Sequence, residues 1–237
     1  MTLPKINDVS KYEINIPSTK QKVRFRPYLV KEEKVLLIAL ESQDDKMMGN
    51  AVLDLVIACL EGDIDKRTLT TYDVEYLFTQ IRGKSVGEFS TLSFYCQEEN
   101  CDHENEVKIN LSDIKIPDTQ SLIKFQLTDE IGIEQKHPSY YDIINSDVLE
   151  SETEIETLYK LVVKSIIAVT TEDERLLIKD EPPEEVYNFV NNLTSQQFES
   201  LRSYVDSAPT IKLGVDYKCK KCDNENHIEL VGMRDFF

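Results

Sequence analysis

The chain has 237 residues, 41% of them hydrophobic and 30% charged, long enough to bury one or two cores and too polar for a membrane protein. Its 44 acidic against 27 basic residues give a formal charge of −17, a surface repelled by nucleic-acid phosphates and by anionic lipid. Residues 1–9 hold no apolar core of a secretory leader and no apolar run is long enough to span a bilayer, so a reducing compartment is expected, where paired cysteines favour metal over disulfide.

Taken in order, residues 11–29 alternate apolar and polar positions around Pro17–Lys20, which predicts a β-hairpin whose second strand ends at Pro27. A helix is predicted over 31–42, with Glu32 and Glu33 in its positive first turn, followed by a polar break over 43–49. Residues 50–60 read as a second helix, apolar nearly all round and therefore central, with Cys59 a small buried residue in it. Thr70 caps a third helix with an apolar stripe of Val74, Leu77, Phe78 and Ile81. A hairpin then begins near Thr91 and carries Cys96 and Cys101.

The second half reads in a similar order. Residues 121–127 are strand-like, 138–146 form a short helix, and 151–169 form the longest helix, with Ile155, Leu158, Val162, Ile166 and Val169 at helical spacing. Pro182 and Pro183 open another helix, and Thr194 with Gln197 forms a capping box for one ending near Asp206. A second hairpin carries Cys219 and Cys222. Leu69-Thr70 with Val74-Glu75 and Leu77 matches Leu193-Thr194 with Phe198-Glu199 and Leu201, and the distance from each to its first thiol differs by one residue. Both thiol turns continue Cys-Asp-(His or Asn)-Glu-Asn before an alternating strand. These matches imply an internal duplication, 1–116 and 117–237, packed as one unit. The fold class expected is α+β, mostly helical with short β-hairpins.

Duplication decides what the thiols mean. Each half supplies two, and a tetrahedral zinc site needs four ligands. One site shared by Cys96, Cys101, Cys219 and Cys222, in a zinc-ribbon-like arrangement, is the simplest reading; with every position filled by sulfur the Zn2+ would be structural. Separate sites completed by His103 or His227 and Asp102 or Asp223 remain open, as does no metal at all. No phosphate-binding loop, nucleophile elbow or zinc-protease motif is present, and the three histidines are scattered, so no enzyme and no small-molecule substrate are expected. Lys218, Lys220 and Lys221 at the second turn would be the contact of a nucleic-acid-binding ribbon, a reading the net charge opposes. Arg24 and Arg26, on one face of the first hairpin, and the terminal Phe236 and Phe237 are candidate protein-interface anchors.

The stretch Ile16-Pro17-Ser18-Thr19, then Val23-Arg24-Phe25-Arg26-Pro27-Tyr28 running into Leu29–Ser42, resembles the opening of the T4-type bacteriophage baseplate protein family. The resemblance extends through the thiol hairpins over most of the chain. It implies a component of the contractile-tail baseplate hub that binds other hub and tail proteins, or a factor that assembles the hub without staying in the virion. It further implies synthesis in the host cytoplasm and final residence in the tail, with no nucleic-acid or membrane partner.

Overall fold

The computed structural model describes residues 9–118 and 120–236, the side chain of Arg234 excepted. Strands β1 (Tyr12–Asn15) and β2 (Lys22–Phe25) form the expected hairpin, with Val23 and Phe25 inward and Arg24 outward. Helix α1 (Val30–Ser42) follows, its first-turn Glu32 accepting the Leu29 N–H at 2.6 Å. The polar break is shorter than expected: the Asp44 carboxylate accepts the Met47 N–H, so α2 begins early and spans Asp45–Cys59. It runs without a loop into β3 (Leu60–Glu61), which pairs with β2. Helix α3 (Thr71–Ser85) is capped by Thr70 and leads into the hairpin of β4 (Phe89–Tyr95) and β5 (Glu104–Asn110). Apolar faces of β2, α2 and α3 share one core, with Leu53, Val56, Val74, Leu77 and Ile81 sealed from solvent.

The second half holds more sheet than its sequence pattern suggests. Strands β6 (Leu122–Gln126) and β7 (Gly132–Lys136) precede a short α4 (Tyr140–Ile144), then α5. Helix α5 ends at Ser165, covering Glu154–Ser165, and is not the longest helix. The end of the expected helix, residues 166–169, instead belongs to strand β8 (Ile166–Thr170), the partner of β7 and of β9 (Arg175–Leu177). The apolar run there fits either period, and β-branched Ile166, Ile167 and Val169 suit a pleated strand buried between neighbours. Ile155, placed on the predicted stripe, is 81% exposed. Helices α6 (Pro183–Asn191) and α7 (Ser195–Asp206) then pack against α5 and the sheet, around Ile133, Val162, Val190 and Leu201. The chain closes with the hairpin of β10 (Lys212–Lys218) and β11 (Glu225–Val231).

Both halves share one wiring. A hairpin is followed by helices, and the last of these feeds directly into a third strand that pairs with the second: α2 into β3, α5 into β8. A box-capped helix then leads to a thiol hairpin; the second half adds β9 and α6. Helix α4 from the second half docks onto α2 at Gly49, where a Cβ would lie 2.8 Å from Ile144 Cγ2, so only glycine permits the approach.

The four-stranded sheet carries an ion-pair triad on one face. Glu134 of β7 is buried and accepts from Lys124 of β6 at 2.6 Å and from Arg175 of β9 at 2.6 Å, reaching past the small Ala168 of β8. The two cations, Arg175 first, hold its carboxyl at about 2, well below the usual carboxylate range. A depressed folded-state value means that this contribution is complete above the unfolded-state pKa and disappears as pH falls through the folded one. Stability to urea should therefore decline between about pH 4.5 and pH 2, and Glu134→Gln should flatten that limb of the profile while lowering stability at neutral pH.

Candidate metal centre

The two thiol hairpins lie side by side and share a core. Ile109 from β5, Val215 from β10 and Leu230 from β11 pack with Leu111, Ile114, Ile211 and Phe236. Phe94 and Tyr217, which occupy equivalent positions two residues before Cys96 and Cys219, stack on each other with ring centroids 5.8 Å apart. The Tyr217 hydroxyl also donates to the Tyr95 carbonyl at 2.7 Å.

Each turn is shaped by the same backbone bond. The Cys96 N–H donates to the His103 carbonyl at 3.0 Å, and the Cys219 N–H to the Asn224 carbonyl at 2.8 Å. The shorter second turn needs one residue in the left-handed region, and Asp223, with φ 61°, supplies it. The consequence is convergence: the sulfurs of Cys96, Cys101, Cys219 and Cys222 all lie within 4.8 Å of one another. Cys96 and Cys222 sulfurs are 3.5 Å apart, and those of Cys101 and Cys219 are 3.8 Å apart. The first three thiols are buried and Cys222 reaches the surface.

Two asparagines that sequence reasoning passed over hold the turns together. Asn105 of β5 accepts the Lys220 N–H at 2.9 Å, and Asn226 of β11 accepts the Gln97 N–H at 2.8 Å. Each thus crosses to the residue after the first cysteine of the other turn, while its own amide donates back to the carbonyl two residues earlier. Both are sealed from solvent. The signal was present in the repeated Glu-Asn pair after the second cysteine, the same register in both hairpins.

The donors around the sulfurs are unevenly placed. Burial pushes the Cys219 thiol up, but the N–H groups of Cys222 and Lys221 and the Asn105 amide outweigh it and bring it down to about 6. Cys222 moves the other way, to about 12: the Asn224 N–H draws it down, and desolvation with the crowding of Cys96, Cys101 and Cys219 overcomes that pull. A first thiolate is therefore favoured and a further one opposed by its neighbours.

The other residues singled out from sequence fall elsewhere. Among the described residues, the only cluster of metal-ligand type is the four cysteines; His103, Asp102 and Asp223 do not join it, and His227 faces outward with its Nδ1 2.7 Å from Asp216. Lys218 pairs with Asp223 at 3.0 Å. The Arg26 guanidinium is engaged within the chain, donating to Glu32 at 3.1 Å and to the Ala58 carbonyl at 3.0 Å. Arg24 stays largely exposed, 3.7 Å from Glu13. Phe236 is buried in the hairpin core, and Phe237 lies outside the described residues.

The sequence profile of the family described as T4 bacteriophage base plate protein matches residues 9–237. The chain belongs to that family. The match spans both halves and both thiol hairpins, and membership assigns this baseplate chain a structural role in the phage tail, in contact with other baseplate proteins. No curated protein and no solved structure matches it. Among its described helices, none is long and apolar enough to cross a membrane.

Proposed function

We propose that this baseplate protein is a non-enzymatic adaptor of the tail hub, made in the host cytoplasm and retained in the virion, whose two duplicated halves are clamped by one structural zinc. The supporting observation is the convergence of four thiols from two hairpins about half the chain apart. A tetrahedral zinc with Zn–S bonds of about 2.3 Å requires sulfurs about 3.8 Å apart. Two of the pairs, Cys96–Cys222 at 3.5 Å and Cys101–Cys219 at 3.8 Å, fit that edge. Asn105 and the Lys221 N–H aim at the Cys219 sulfur, from 3.7 and 3.4 Å, as donors to a thiolate should. A divalent cation would also remove the mutual opposition that keeps several crowded thiols from ionising together. With four sulfurs occupied, no position is left for water or substrate, which suits a clamp and not a catalyst.

The shared wiring of the halves and the reciprocal asparagines support a duplication, with the hairpin of each half completing the site of the other. Rigidity is what an adaptor requires, since docking several partners in fixed relation leaves little entropy to lose on binding. Elemental analysis of the pure protein should give about one zinc per chain; none, or two, overturns the shared clamp. Mass spectrometry of purified tails should detect the chain, and its absence from finished particles would overturn retention in the hub.

A further inference from the structure

Helix α1 is an oddity for a surface helix. Val30, Leu37 and Leu40 lie along one stripe, at i, i+7 and i+10, and are 79%, 53% and 59% exposed. Only Ala39 of the whole helix is buried. Leu37 and Leu40 are neighbours on that face, with Val30 two turns before Leu37 and Glu33 between them; apolar surface grouped in this way, unlike single exposed apolar residues, marks a docking surface. At its C-terminal end the stripe continues through Leu40 into a groove of about 710 Å³ between α1, α2, α3, α4 and the turn after β11. The floor is apolar, formed by Ala39, Met48, Val52, Val74, Ile144 and Met233.

Charge selects the occupant. The charged residues among those described as lining the groove are Asp44, Asp45 and Glu75, all acidic. On α1, Glu33 lies within the same face and Glu41 at its edge beside Lys34, while Lys31 lies further round the helix. Glu75 is the most telling of them. Burial pushes its carboxyl up, against the pull of the Met233 N–H, so a cation arriving in the groove would relieve a desolvated acid. A second copy of this chain is a poor occupant, since it brings the same stripe, the same acidic rim and a charge of −17.

We propose that the groove and the outer stripe of α1 bind an apolar segment flanked by lysine or arginine, supplied by another baseplate protein. The source of that segment rests on the adaptor reading; the chemistry of the groove does not. The anchor would be the apolar side chains filling the floor, and the rim acids would fix orientation and exclude acidic competitors.

The test uses the full, metal-replete chain and two labelled probes followed by fluorescence anisotropy: an amphipathic Leu/Lys peptide and its Leu/Glu counterpart. The Leu/Lys peptide should bind at least roughly tenfold more tightly, about 1.4 kcal/mol. Leu40→Ser and Leu40→Asp should each weaken it by a similar factor, with zinc content and melting temperature unchanged. Leu40→Asp is the decisive variant: were attraction due only to net charge, an added acid would tighten binding, and tighter or unaltered binding overturns the groove. Sedimentation that reveals a dimer abolished by Leu40→Asp would give the face to a second copy and overturn the proposal as well. Photocrosslinking from position 40 during infection then addresses the source. A crosslink to a basic, apolar segment of a baseplate protein supports it, and a chain found in tails without such a crosslink removes the source assignment while the peptide result stands.

Discussion

Stripping zinc from the purified protein with a strong chelator, or replacing Cys219 with serine, is expected to release both thiol hairpins at once. Structural zinc contributes about 10–16 kcal/mol in isolated zinc-finger peptides. Less is expected here, because the hairpins keep part of their packing without metal: the Phe94–Tyr217 stack, the crossing asparagines and the apolar core beneath them. A loss on the order of 5 kcal/mol is the expectation, or roughly 10–20 °C in melting temperature for a chain of this size. Cys219 is the informative position, since it is buried and takes donors from Asn105 and Lys221. The measurement that separates a clamp from a local knot is hydrogen exchange. Amides around Cys96 and Cys101 should lose protection in Cys219→Ser as fully as those around Cys222. If only residues after Pro117 become labile, the halves are not joined through one ion. Cys59→Ala supplies the control: that thiol is buried in the first core beside Arg26, so the variant should keep its zinc.

The difference between what was legible in the sequence and what was not follows from the range of the forces involved. Caps and turns are local, and they read well: Thr70 and Thr194 each start the helix expected of them, and Pro183 opens α6. The thiols were legible because their spacing within each turn is local and the motif occurs twice, although their meeting is not. Residues 166–169 read as helix because an apolar run satisfies both periods, and only the neighbours β7 and β9 decide between them. The two-residue β3 was invisible for the same reason; Leu60 and Glu61 are a strand only because β2 lies beside them. From the sequence Arg26 reads equally as an interface anchor or as the partner of a local carboxylate; Glu32 and the Ala58 carbonyl, one on each adjoining helix, engage it within the chain. Asn105 and Asn226 stood in plain view inside a repeated motif. Their role needs two turns facing each other, and no periodicity encodes that.

Asp73 is where the second large effect is expected. Its carboxylate is sealed from solvent and accepts four hydrogen bonds: from the Ser18 N–H at 2.8 Å, the Ser18 hydroxyl at 2.6 Å, the Thr70 N–H at 2.8 Å and the Thr70 hydroxyl at 2.7 Å. It thereby ties the β1–β2 turn to the start of α3, the helix that leads into the first thiol hairpin. The same point joins the halves, since the Tyr140 N–H donates to the Leu69 carbonyl and Thr70 bridges Ser139. Asp73→Ala would strand two buried N–H groups and should cost about 3–5 kcal/mol. Asp73→Asn is the sharper probe. Both hydroxyls can turn round to accept from the new amide, but the Thr70 N–H cannot, so about 1–3 kcal/mol should be lost even though size and shape are kept. Gln197, at the same place in the second capping box, bonds among the described residues to Thr194 and the Leu127 carbonyl, in partly exposed surroundings. Gln197→Ala should therefore cost only about 1 kcal/mol. Equal losses from Asp73→Ala and Gln197→Ala in urea melts would mean that burial of the first box contributes nothing, and that the β1–β2 turn is held to α3 by its apolar contacts alone.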